Sequence, residues 1–140
     1  MECRAHRLVA DVALLAAGEV LLVRYRDVRR YDGQRGWFLP DDHLAFEEHP
    51  DDGARRILRE QTGLEAAQPR LAFIESLPGD GGPWHLIFHY RAEIAAPIEV
   101  SPAGNVAATA WFQLDRPPAP AEVAHDGWAL DVLERIRTEA

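Results

Sequence analysis

The chain has 140 residues, 47% of them hydrophobic and 27% charged, the make-up of a single globular domain long enough to bury a sizeable core. Its formal net charge of −8 excludes broad electrostatic attraction to nucleic acid or anionic lipid, so an anionic ligand needs a local arginine cluster or a metal ion. No apolar run approaches the roughly 20 residues of a membrane span, and Asp11 and Glu19 break the one stretch that a signal peptide would need.

All 15 basic residues are arginine. The lone Cys3 cannot form an internal disulfide, which makes a reducing, cytoplasmic setting the expectation.

Arg7 to Ala17 is apolar with β-branched residues, Gly18-Glu19 reads as a turn, and Val20 to Arg26 alternates as a returning strand, so the chain opens with a predicted β-hairpin. Asp27 to Arg35 is a polar loop whose Arg29, Arg30 and Arg35 form the densest positive cluster, either solvated or holding phosphate. Gly36 to Leu39 is read as a short strand leading into an acidic loop. A helix then starts near Pro50, with Asp51 and Asp52 in its first turn, where carboxylates suit the positive end of the dipole. Ala54, Ile57, Leu58 and Gln61 fall at helical spacing, and Gly63 supplies the stop.

Arg70 to Leu77 and Trp84 to Ile94 are strand-like, and the link Pro78 to Pro83 is a turn, so the two are expected to pair antiparallel. Ala107 to Leu114 is the last predicted strand. After a proline-rich break, Asp126 is expected to cap a terminal helix with Trp128, Leu130, Val132, Leu133 and Ile136 on its apolar face. This order predicts one domain, an α/β or α+β fold with a mixed sheet and two helices to cover it. His85 and His89, four apart on one strand, share a face and are a potential pocket lining together with Trp84, Tyr90 and Trp111.

From Gly36 to Leu64 the chain resembles the signature box of the Nudix hydrolases: a Gly, five residues, a Glu, seven residues, then Arg-Glu-apolar-x-Glu-Glu-x-Gly-apolar. Gly63 and Leu64 match the end of the box, Arg56 its Arg, Leu58 its apolar position, Glu60 the first paired glutamate, and Glu48 the earlier Glu. Trp37 to Asp42, Glu47 to Pro50 and a late Trp111 to Asp115 segment agree with the surroundings usual in that family. The resemblance implies an α/β/α sandwich, a mixed β-sheet flanked by helices. It also implies hydrolysis of a nucleoside-diphosphate-type linkage with Mg2+ or Mn2+, and a loop-to-helix ion pair between Glu48 and Arg56.

The departures sit at working positions. Ile57 stands where the family has a Glu acting as base or metal ligand, and Gln61 stands for the second paired glutamate. Asp41 and Asp42 replace two glycines, the first of which lends a backbone carbonyl to the metal in relatives, and Asn105 stands for a further acidic ligand. Ile57, Glu60 and Gln61 are expected on one helix face, leaving Glu60 as the remaining catalytic acid and metal ligand. Mg2+ depends on carboxylate charge, and isoleucine accepts no proton.

Asp41, Asp42 and Glu47 offer a way to rebuild a metal site from the loop, and His43 a further contact. Arg35, Trp84, His85, His89 and Trp111 are the expected substrate-binding residues. Three functions stay open on this reading: a metal-dependent hydrolase, a domain that binds a nucleotide-like small molecule without turnover and with no cofactor, or a scaffold with a homodimer as its expected state.

Overall fold

The computed structural model describes residues 6–78 and 82–138, so Cys3 and the middle of the expected turn, 79–81, lie outside the described residues. Strand β1 (His6–Ala16) turns at Ala17 and Gly18, both left-handed with φ of 47° and 81°, into β2 (Glu19–Tyr25). The turn therefore falls one residue earlier than expected, and two left-handed residues give the twist that suits a tight hairpin.

The hairpin pairs only at Leu15–Val20 and Ala16–Glu19, and then its strands splay. The segment after the second loop fills the opening. Phe38 exchanges both backbone hydrogen bonds with Val23 of β2 at 2.9 Å, and β3 (Asp41–His43) pairs antiparallel with Val9–Asp11 of β1. The expected strand at Gly36–Leu39 is thus a pair of isolated bridges, and the ladder forms two residues later, on acidic residues.

Helix α1 (Pro50–Thr62) follows. Its N-cap is His49, whose Nδ1 accepts from the Asp51 N–H at 3.0 Å, and Gly63 ends it in a left-handed cap with φ of 79°. Strands β4 (Arg70–Leu77) and β5 (Trp84–Ile94) pair antiparallel as expected, and β6 (Val106–Gln113) pairs with β2. The sheet order is β4-β5-β1-β2-β6, with β1 and β5 parallel along eleven residues.

Helix α2 (Ala124–Thr138) begins differently from the expectation. His125, Asp126 and Gly127 have φ of 55°, 54° and 89°, so Asp126 lacks the extended geometry of an N-cap and the regular helix starts beyond Gly127. No helix among the described residues is long and apolar enough to cross a membrane.

Two apolar layers result. Ala10, Val12 and Leu14 of β1 pack with Ala54, Ile57 and Leu58 of α1, while Ala13, Val20 and Leu22 pack with Val132, Leu133 and Ile136 of α2. Burial on both faces explains why β1 reads as a continuous apolar run instead of an alternating one. Ile57 is 0% exposed at the centre of the first layer. We predict that Ile57→Ala lowers the unfolding free energy by about 2–5 kcal/mol; urea denaturation measures this, and an unchanged midpoint and slope contradict the packing described.

Candidate functional site

Because side chains alternate along a strand, β3 sends its two acids to opposite faces of the sheet. Asp41 is level with Asp11 and faces α2, whereas Asp42 is level with Ala10 and faces α1. Two clefts follow. One of about 280 Å³ lies on the α1 side between Asp42, Glu60, Gln61, Asn105 and Tyr25. The other, of about 370 Å³, lies on the α2 side and takes in Asp41. Arg30 and Tyr31, from a 3-10 turn at Arg29–Tyr31, line both.

The α1-side cleft holds the box residues, and Arg56 organises them. Its Nε and Nη2 grip Glu48 at 2.9 and 3.0 Å, Nη2 also donates to the His43 carbonyl at 3.0 Å, and Nη1 donates to Asp42 at 2.8 Å and Glu60 at 3.4 Å. These five bonds use all five guanidinium N–H groups. The hydrogen bonds from Arg56 hold the Glu48 carboxyl below its ordinary range. Gly53 lets the loop approach the helix, because a Cβ there would meet Leu44 at 2.4 Å and Glu48 at 3.3 Å.

Gln61 closes a separate ring of hydrogen bonds. The Asp41 N–H donates to the Tyr25 hydroxyl at 2.9 Å, that hydroxyl donates to Gln61 Oε1 at 2.8 Å, and Gln61 Nε2 donates back to the Asp41 carbonyl at 2.8 Å. Tyr25 stacks on Tyr31 with ring centroids 3.9 Å apart. Burial pushes the Tyr25 phenol well above its usual range, so it remains a neutral donor. No buried polar side-chain atom among the described residues is left without a partner.

These groups do not fit a Mg2+ or Mn2+ ion. Asp42 has one oxygen on Arg56 and the other on Arg30 at 2.9 Å, and the Asp41 carbonyl is taken by the Gln61 amide. Asn105 spends both ends of its amide on the Asp27 backbone, at 2.8 and 2.7 Å. Glu60 is half exposed and leans on Arg56. The expected single face of Ile57, Glu60 and Gln61 is divided: Ile57 is in the core, Gln61 in the buried ring and Glu60 at the surface. The expected loop-side set of Asp41, Asp42 and Glu47, and the metal set of Asp41, Asp42 and Glu60, do not gather into one cluster, since the two aspartates face opposite sides of the sheet. Among the described residues no three His, Cys, Asp or Glu side chains converge as a ligand set.

The α2-side cavity gathers part of the expected binding set. His85 lines it, together with Phe38, Trp128, Arg7, Arg30 and Glu75. His89 shares that face as expected but is wholly buried below it, with Nδ1 2.7 Å from Asp11 and Nε2 2.8 Å from Glu75. Trp84 is next to His85 in sequence, so it points to the other face, where its indole donates to Ser76 at 2.7 Å. Trp111, three strands from β5, packs on the α1-side core and donates to the Ile98 carbonyl at 2.8 Å. Arg35 is exposed and is not part of the cavity wall.

The residues that sequence reasoning missed are Phe38, Trp128, Glu75 and Asp11. Asp11 carried a signal: a single acid inside an apolar strand is expensive to bury and implies a partner. Burial raises its carboxyl pKa, against the lowering effect of His89. Burial works against the His89 imidazolium as well, but hydrogen bonds and charge from Asp11 and Glu75 outweigh it and raise its pKa.

A mixed sheet opened by an acidic loop and covered by a helix on each face defines the class: a three-layer α/β/α domain whose loop and first helix carry the box residues. The NUDIX domain profile matches residues 5–132, and the chain belongs to the Nudix family. Among solved structures it is similar to a MutT NUDIX hydrolase from Burkholderia pseudomallei, at 23% identity and a TM-score of 0.71 over 94% of this chain and 98% of that one. It is also similar to the E. coli dihydroneopterin triphosphate pyrophosphohydrolase, at 12% identity and 0.73 over 98% and 100%. A C. elegans Ap4A hydrolase in a binary complex matches at 16% identity and 0.68 over 94% and 93%. At these identities the likeness establishes the fold. No curated protein sequence matches the chain.

Asp41 gives a pH prediction. Burial first, then the neighbouring charge of Asp11, raises its carboxyl pKa well above 3.8. A raised folded pKa means that the native state binds the proton more tightly than the unfolded state. Its contribution to stability is therefore complete below about pH 4 and is lost as pH rises through the folded value. Asp41→Asn, which cannot ionise, should melt about 3 °C or more above wild type at pH 8 and lose that advantage near pH 4. Parallel thermal melts decide it, and an advantage that is flat with pH overturns the assignment.

Proposed function

We propose that this Nudix domain binds a nucleotide-like phosphorylated ligand in the cavity between the sheet and α2, and does not cleave it by a metal-dependent route. One observation carries the reading: both Asp42 oxygens, the Asp41 carbonyl and the Gln61 amide are already engaged by Arg56, Arg30 or the Gln61 ring, which leaves, among the described residues, the half-exposed Glu60 as the one box carboxylate on that cleft with an oxygen to spare. A hydrolytic site needs carboxylates free to receive a cation and a base free to take a proton from water. Arg56 already reaches three carboxylates, Glu48, Asp42 and Glu60, and the position of the expected base is filled by the buried Ile57.

The cavity supports the binding half of the proposal. At about 370 Å³ it is of the size and mixed character of small-molecule sites, with Phe38 and Trp128 as aromatic surface and Arg7 and Arg30 as cations. Arg30 reaches both clefts, so a phosphate beside it bridges the cavity and the old box. The neighbour named as an Ap4A hydrolase adds weight to a nucleotide-like ligand. The lone cysteine remains the reason to place the protein in a reducing cytoplasm.

Mass action provides the test. In EDTA, millimolar ADP, GDP, ADP-ribose or a dinucleoside polyphosphate should include at least one that raises the melting temperature by about 3 °C or more. Adding Mg2+ or Mn2+ should neither strengthen that shift nor release mononucleotide or phosphate, as followed by chromatography. Product formation that requires Mn2+ and stops on chelation contradicts the proposal.

A further inference from the structure

The wall of the α2-side cavity is graded along the strands. The pairing register sets three rows on that face: Arg7, His85 and Leu77; then His43, Val9, Ile87 and Glu75; then Asp41, Asp11, His89 and Phe73. Burial deepens from the first row to the third. The Arg7 side chain is 41% exposed, the Glu75 side chain 28%, and His89 is sealed beneath Trp128 at a ring distance of 5.4 Å. The cavity therefore runs from a basic rim to an acidic interior.

Glu75 is the acid best placed to meet a ligand. His89 lies between two carboxylates, with Nδ1 at 2.7 and 2.9 Å from the Asp11 oxygens and Nε2 at 2.8 Å from Glu75 Oε1. Both ring nitrogens face acceptors, so the arrangement is satisfied when both carry protons. Asp11 thus orients His89, and His89 orients Glu75. Among the described residues no hydrogen bond reaches Glu75 Oε2, and Glu75 is part of the cavity wall. Burying Asp11 and His89 in line with the partly exposed Glu75 is costly, and a fixed acceptor at the end of the line is what that cost supplies.

We propose that Glu75 is the specificity residue of this cavity, accepting the paired N–H groups of a guanine-type base. The base stacks against Phe38 and Trp128, with its phosphates directed toward Arg7 and Arg30. This deepens the nucleotide-binding reading and rests on it. The choice of base follows from donor patterns. Guanine presents two adjacent N–H donors, N1–H and the 2-amino group, to a carboxylate. Adenine and cytosine place a ring-nitrogen lone pair beside their amino group, and uracil flanks its single N–H with two carbonyls, so each sets an acceptor against Glu75. At the rim, Arg7 has only a loose pair with the half-exposed Asp32 at 3.7 Å, which leaves it able to turn to phosphate.

The test is calorimetric titration of the full chain in EDTA with GDP, with IDP, which lacks the 2-amino group, and with ADP. We expect GDP to bind about tenfold or more tightly than either of the others. We expect Glu75→Gln, which keeps an oxygen for His89 but replaces the free acceptor with a donor, to bring the GDP-to-IDP ratio near one without weakening ADP. Equal binding of the three by wild type overturns this inference and leaves the nucleotide reading standing. A GDP preference that survives in Glu75→Gln removes Glu75 from the role. If none of the wider nucleotide panel binds, the cavity reading itself fails, and this inference with it. The wild-type ratios are decisive even if the variant does not fold.

Discussion

The domain depends on one side chain, Arg56, with all five of its donors engaged. It joins α1 to the loop at Glu48, to β3 at Asp42 and the His43 carbonyl, and to its own helix at Glu60. The planar guanidinium suits this role because its donors diverge in a fixed fork, whereas an ammonium group would reach fewer partners. Removing it would leave Glu48 without its compensating charge in a partly buried place and Asp42 with Arg30 alone, which costs more than the pair contributes when intact. The loop, the opening in the sheet and the helix are therefore held by a charge that the protein carries itself.

Gln61 does for the Asp41 carbonyl what Arg56 does for the carboxylates. A glutamate there would turn only acceptors toward a carbonyl and a tyrosine hydroxyl, an arrangement that calls for a cation between them. The amide substitutes an N–H donor for one oxygen, and the ring with Tyr25 closes without an ion. With Ile57 taken into the core, the helix face becomes a packing surface and a neutral hydrogen-bonded seam. The proposed recognition rests on the opposite face of the sheet, where the register puts Arg7 at the rim and Glu75 further in.

Much of this fold was legible in the sequence because its signals are local. Pro50, Asp51 and Gly63 mark the limits of α1, and Ala54, Ile57, Leu58 and Gln61 lie on its buried face. Strand β3 was not legible. Asp-Asp-His has no intrinsic strand tendency, and its pairing exists only because β1 and β2 splay apart. The cavity was partly legible. Period-two alternation puts His85 and His89 on one face, and the same rule sends Trp84 to the other. Phe38 and Trp128 reach the cavity from distant segments, and only the three-dimensional register brings them to it.

With the box engaged by its own arginine and amide, we expect no carboxylate pair to remain for a cation. Electron paramagnetic resonance of Mn2+ measures this, because the free ion gives a strong signal that binding diminishes. With protein and Mn2+ equimolar at submillimolar concentration, the free-ion signal should persist nearly undiminished. Stoichiometric loss of that signal, reversed by Mg2+, would show that the box still holds a divalent cation.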